Sequence, residues 1–180
     1  MGTIVIYKSR TGYTKKYADW IAEELGCQSY DYKSAMSLDL SQFDTIIFGG
    51  SLHASGILGL KNIKKKLDFS KTKKLLVFAV GATPPVAGLE KMLTEKNVGE
   101  EERSMVKIFY MRGGFNYDRL NLVDKLLMSM MKRGIMKKKE DERTADEKGM
   151  LAAFDYPLDF TNRKNIRPII NYYRGDDHVG

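Results

Sequence analysis

The stretch TIVIYKSRTGYT, residues 3–14, decides the fold. A short apolar run, Thr3 to Tyr7, has the β-branched and aromatic character of a strand. It is followed by Ser9-Arg10-Thr11-Gly12-Tyr13-Thr14 and then by TKKYADWIAEELG, in which Tyr17, Ala18, Ile21 and Leu25 fall on one helical face before Gly26 ends it. Three hydroxyls and a glycine, placed where a strand becomes a helix, set O–H and N–H donors at the positive end of a helix dipole. That is the chemistry of a phosphate site. The same residues also suit a plain helix cap, since Ser and Thr are common capping residues. Neither G-x-x-x-x-G-K-[ST] nor G-x-G-x-x-G occurs, which argues against a P-loop NTPase or a dinucleotide-binding fold.

Outward from this stretch the chain alternates strand and helix patterns. CQSYDY (27–32), DTIIFGGS (44–51), KKLLVFAVGA (73–82) and SMVKIFYMRGG (104–114) read as strands. LGLKNIKKKLDF (58–69), VAGLEKMLTEKN (86–97) and RKNIRPIINYYRG (163–175) read as helices, the last starting or kinking at Pro168. Five strands joined by helical crossovers predict an α/β three-layer sandwich around a parallel sheet of order 2-1-3-4-5. Ligands of such sheets lie beyond the carboxyl ends of the strands, so the loops that begin at Ser9, Ser51, Gly81 and Gly113 are the candidate site.

Length and composition bound the rest. The 180 residues (20.5 kDa), with 43% hydrophobic content and only 4 Pro, predict one domain over 1–180 with an insertion at about 117–160, and exclude a disordered or collagenous chain. Cys27, the one cysteine, cannot form an intrachain disulfide, so a cytoplasmic setting is expected. The N-terminus does not read as a signal peptide, and no run approaches the ~18 apolar residues of a membrane span. No metal site is expected.

The loop SRTGYT, the predicted strand order and the later glycine loops together resemble the flavodoxins. The resemblance covers residues 1 to about 116 and the last helix, and implies FMN as cofactor. Ser9, Arg10, Thr11, Gly12, Tyr13 and Thr14 would then hold its phosphate, largely through backbone amides and hydroxyls. Ser51, Leu52, His53, Ala54, Ser55 and Gly56 would lie along one face of the isoalloxazine ring, with Gly56 the residue whose peptide reorients when the ring gains a proton. Gly81, Ala82 and Thr83, with Gly113, Gly114, Phe115, Asn116 and Tyr117, would complete the site, and Phe115 or Tyr117 would approach the ring. Many flavodoxins stack a tryptophan from the second loop on the ring. The one tryptophan here, Trp20, lies in the first helix instead and is expected to pack. No catalytic acid or base is assigned.

A second resemblance begins at the fourth loop. GGFNYDR followed by DKLLMSMMK is similar to the insertion of the flavodoxin-like, menaquinone-dependent protoporphyrinogen oxidases of bacteria, which pass electrons from a porphyrinogen to a quinone. The phosphate loop is closer to plain flavodoxin than to that group. At 100° per residue, Leu120, Leu122, Val123, Leu126, Leu127, Met130 and Met131 cover nearly half of the inserted helix, wider than one packing stripe needs. This face either packs on the sheet edge or meets a partner.

The net charge of +7 has local sources. Residues 60–74 and 112–139 each carry +6, which leaves −5 on the rest of the chain. The expected partners are therefore a quinone, a porphyrinogen or a reductase, with peripheral membrane contact through 119–139. A flavodoxin-type electron carrier is the alternative, against which the basic blocks count because flavodoxins are usually acidic. No RNA-binding signature or helix-turn-helix pattern is present, so no nucleic-acid partner is expected.

Overall fold

The computed structural model describes residues 2–53, 55–120 and 122–176. The chain separates into two compact units. Unit 1 comprises 1–113 and 160–180, and unit 2 comprises 114–159.

In unit 1 the chain runs β1 (Gly2–Lys8), α1 (Tyr13–Leu25), β2 (Gln28–Asp31), α2 (Tyr32–Met36), β3 (Phe43–His53), β4 (Gly56–Ile57), α3 (Leu60–Lys66), β5 (Lys74–Gly81), α4 (Leu89–Asn97) and β6 (Val106–Arg112). The sheet has the order β2-β1-β3-β5-β6, all parallel, which is the expected 2-1-3-4-5 order of the main strands. The short β4 turns back antiparallel on the end of β3.

The central strands β1, β3 and β5 carry continuous buried apolar runs because both faces of the sheet are covered. Ile4, Ile6, Ile46, Phe48, Leu75, Val77 and Ile108 point into one core with Leu60 and Ile63 of α3 and Leu93 of α4. The alternate residues Val5, Ile47, Leu76, Phe78 and Phe109 point into the other, with Tyr17, Ala18 and Ile21 of α1. Gly49 makes room for its neighbour on β5: a Cβ there would stand 2.1 Å from the Phe78 ring. Trp20 packs against the second core, its ring edge-on to Tyr17 at 5.5 Å, as expected of a packing residue.

The strand expected over 27–32 ends at Asp31, and Tyr32 opens the short helix α2, which Asp31 caps by accepting from the Lys33 and Ser34 N–H groups. After residue 160 the chain returns through a 3-10 turn, Arg163–Ile166, to the last helix of unit 1, Arg167–Arg174, which carries Pro168 in its first turn.

Unit 2 holds β7 (Gly114–Phe115), α5 (Leu122–Met136), α6 (Ala145–Asp155) and β8 (Leu158–Asp159), so the helix at Arg167–Arg174 is α7. β7 and β8 pair antiparallel. The charged run at 137–148 contains the start of α6. Thr144 and Glu147 form its capping box. Unit 2 has a small interior, with Ile135 and Ala153 buried.

Candidate functional site

The parallel strands β1, β3, β5 and β6 end at one edge of the sheet, so the loops after Lys8, Ser51, Gly81 and Arg112 open on the same side. In the first loop Gly12 takes the left-handed conformation (φ 98°, ψ −20°) that glycine adopts without a Cβ clash, and it is the N-cap of α1. The first intrahelical bond runs from the Lys16 N–H to the Gly12 carbonyl, 3.0 Å. Ser9 is not the helix cap: its Oγ accepts from the Gly12 N–H at 3.0 Å, which closes the turn and leaves its O–H as a donor. Thr14 is 1% exposed, and its hydroxyl meets that of Ser51 at 3.1 Å. The first and second loops are thereby tied together. Arg10 is exposed, while Thr11 and Tyr13 are half-buried. Hydroxyls and amides at the positive end of a 13-residue helix fit a phosphate monoester.

The second loop is a hairpin. Leu52 pairs with Ile57 and His53 with Gly56, and the Leu58 N–H reaches the Ser51 carbonyl at 3.1 Å. Ala54 lies outside the described residues. Gly56, chosen from the sequence as the mobile residue, sits in β4, while the left-handed residue is Ser55 at φ 66°. Leu52 packs against the first core and His53 is exposed. Asn97, at the end of α4, bonds to this hairpin through its side-chain amide. No sequence motif marks Asn97.

Two residues of β6 hold the third loop. The Tyr110 hydroxyl donates to the Thr83 carbonyl at 2.6 Å, and the Arg112 Nε–H donates to the Ala82 carbonyl at 3.2 Å. Burial pushes the Tyr110 phenol above its ordinary value, with Thr83 and Arg112 acting in the opposite sense. A Cβ on Gly81 would meet the Tyr110 hydroxyl at 2.8 Å, so the space at this glycine belongs to a tyrosine. Tyr110 and Arg112 were missed because they read only as strand residues, and their alternation is the one signal that puts both on the same face.

The fourth loop begins in unit 1 and continues into unit 2. The Gly113 N–H donates to the Gly81 carbonyl at 2.7 Å, and a Cβ there would lie 2.6 Å from Val80 and 3.2 Å from the Tyr13 Cβ. Third loop, fourth loop and first loop thus meet at Gly113. The remaining residues belong to unit 2. Gly114 and Phe115 form β7, and the Asn116 side chain accepts from the Asp118 and Arg119 N–H groups to cap the turn at Tyr117–Arg119. Phe115 and Tyr117 pack on Phe154, with ring centroids 6.0 and 5.0 Å apart, and the Tyr117 hydroxyl bonds to Ser129 at 2.8 Å.

The flavodoxin domain family matches residues 4–144. The chain belongs to the flavodoxin family. The matched span includes α5 of unit 2 as well as the four loops. No curated protein matches the chain. Among solved structures, this flavodoxin domain is similar to a Trp repressor binding protein from Bacillus subtilis, at 17% identity and TM-score 0.47 over 62% of this chain and 85% of that one. It is similar to a flavodoxin from the domain Archaea, at 18% identity and TM-score 0.43 over 62% and 82%. A flavoprotein in complex with FMN from Lactobacillus acidophilus NCFM overlaps 61% of this chain and 91% of its own, at 15% identity and TM-score 0.39.

The flavodoxin domain's two basic blocks differ in how they are used. In 60–74, Lys64 donates to the Asn97 carbonyl and to Glu102, Lys66 donates to the Met36 carbonyl, and Lys71 lies 3.9 Å from Asp68. Much of that block serves the fold. In 112–139, Lys125, Lys132 and Arg133 share α5 with Leu122, Val123, Leu126, Leu127 and Met130, all five of which are exposed. No helix among the described residues is long and apolar enough to cross a membrane.

Proposed function

We propose that this chain is an FMN-dependent oxidoreductase that exchanges electrons with an apolar or anionic partner at a membrane surface. FMN is the cofactor of the flavodoxin family, and the donor set at 9–14 fits its phosphate. When bound, FMN supplies the electron-transfer chemistry. The residues of the chain then bind and orient: Ser9 and the Gly12 turn shape the phosphate loop, the Thr14–Ser51 pair ties it to the ring loop, and Tyr110 and Arg112 hold the third loop in place.

The observation that carries the choice of partner is the exposed face of α5. Leu122 is 86% exposed and Leu126 63%, on a helix that also bears Lys125, Lys132 and Arg133. An apolar face edged by cations suits an anionic lipid surface, each basic residue near it contributing about 1 kcal/mol. Beside α5 lies a groove of about 310 Å³ lined by Tyr117, Lys132, Arg133 and Phe154, where aromatic rings and two cations fit a flat, carboxylated ring. On these grounds the finer reading is a porphyrinogen-oxidising, quinone-linked enzyme. A plain electron carrier is the second reading, favoured by the fact that unit 1 contains the whole five-strand sheet without residues 114–159.

Reconstituting the protein with FMN and assaying porphyrinogen oxidation with a quinone acceptor separates the two. Turnover supports the enzyme. No turnover, together with rapid reduction by a flavodoxin reductase, identifies a carrier. Absence of a bound-flavin visible spectrum rejects both.

A further inference from the structure

We propose that Asn97 is a positioning residue for the ring loop, fixing the Ser55–Gly56 peptide and so setting the balance between binding of oxidised and reduced FMN. The inference rests on the FMN reading above and goes beyond it by naming a residue outside the four loops.

The Asn97 carboxamide makes three hydrogen bonds. Its Nδ2 donates to the Ser55 carbonyl and to the Leu93 carbonyl, both at 2.9 Å, and its Oδ1 accepts from the Ile57 N–H at 3.1 Å. Exchanging O and N would set donor against donor at Ile57 and acceptor against acceptor at both carbonyls, so only one orientation satisfies the site. The amide therefore clasps the chain on both sides of Gly56. It does so where the backbone is least comfortable, since Ser55 is a non-glycine residue at φ 66°.

The clasp stands on rigid ground. Leu93, one turn before Asn97, is fully buried. The Asn97 carbonyl accepts from Lys64 Nζ at 2.9 Å, and Lys64 is paired in turn with Glu102. The orientation of the Ser55–Gly56 peptide is thus set by α4 and α3 as well as by the hairpin itself.

The chemical consequence follows from what reduction does to a flavin. A ring nitrogen that accepts hydrogen bonds when oxidised becomes a donor when reduced and protonated, and then favours a carbonyl turned toward it. A carbonyl already held by Asn97 resists that turn. Asn97 accordingly favours the oxidised cofactor, and its removal shifts the balance toward the reduced one.

The test uses the full chain and the variants Asn97→Ala and Asn97→Asp, the latter keeping an acceptor for Ile57 but losing the donor to Ser55. Oxidised FMN affinity is measured by fluorescence titration, the midpoint potential by equilibration with a reference dye, and Ile57 amide exchange is followed in the FMN-free protein. Both variants are expected to raise reduced-over-oxidised affinity by roughly three- to tenfold, the effect of one lost hydrogen bond. Asn97→Ala also speeds Ile57 exchange. Unchanged potentials with a lowered melting temperature would make Asn97 a structural residue and overturn the proposal while leaving the FMN reading intact. Failure of the wild-type protein to bind FMN overturns both.

Discussion

Thr14 Oγ1 and Ser51 Oγ lie 3.1 Å apart, joining the first turn of α1 to the carboxyl end of β3. Thr14 is 1% exposed, so its hydroxyl organises the interior of the site. Thr14→Val should lose about 1 kcal/mol of stability, the net worth of one hydrogen bond, in addition to weakening FMN binding. Thr11→Val, at a half-buried position in the same loop, should weaken FMN with a smaller drop in melting temperature. Titration and thermal melts on both variants check this, and equal FMN affinity in wild type and both variants would remove the phosphate assignment.

Tyr17 closes unit 1 at the point where the chain leaves for unit 2 and comes back. Its fully buried hydroxyl donates to the Arg112 carbonyl at 2.6 Å and accepts from Asn165 Nδ2 at 2.8 Å and the Asn162 N–H at 3.3 Å. Tyr17→Phe leaves these groups short of a partner, so a loss of about 2 kcal/mol is expected. The urea midpoint should fall with an unchanged slope. A midpoint equal to wild type would mean that water replaces the hydroxyl.

The Gly113 carbonyl accepts from the Phe160 N–H at 2.8 Å, so the two ends of unit 2 are neighbours in unit 1. Replacing 114–159 by a short glycine linker should therefore give a protein that melts in one cooperative step with α/β circular dichroism. A molten or aggregated product would show that unit 1 depends on unit 2 to fold.

The double variant Leu122→Glu/Leu126→Glu places charges on an exposed face, where substitutions usually change stability by only about 0.5 kcal/mol. Melting should be preserved while co-flotation with anionic vesicles is lost, and wild-type binding should weaken with salt. Equal flotation of wild type and variant would take the membrane contact away from α5.

Glu102 gives the acid response a specific source. Burial pushes its carboxyl up, but the hydrogen bond from Lys64, the Gly99 N–H and the Lys64 charge outweigh it and hold the group below its ordinary value of 4.5. Because the folded-state value is depressed, the contribution is fully present above 4.5 and disappears as pH falls through the lower folded value. The stability difference between wild type and Glu102→Gln should be constant near neutrality and shrink in acid. A difference independent of pH across that range would refute the pairing.

How much was legible varies with the kind of interaction. The strand run at 3–7, the apolar runs at 44–51 and 73–82 and the Gly26 stop gave the sheet and α1 because burial on both faces and a left-handed cap leave local signatures. The capping pair Thr144 and Glu147 was also a local signature of α6, hidden in a charged run. Asp31 is likewise a local cap of α2, masked by the strand pattern of 27–32. Asn97 carried no signal, and Tyr110 and Arg112 only the alternation of a strand, because each acts on a loop distant in sequence through a backbone carbonyl, and a carbonyl has no residue identity to read.

The sequence by itself determined the α/β order, the SRTGYT turn at the end of the first strand and the family that residues 4–144 match. Those features depend on local periodicity and on a loop of a few contiguous residues. Only the tertiary structure decided that Thr14 is buried against Ser51, that Phe115 and Tyr117 pack on Phe154, that much of the 60–74 charge serves the fold, and that Asn97 clasps Ser55 and Ile57. Each depends on which distant side chain reaches a given atom, and sheet closure sets that distance.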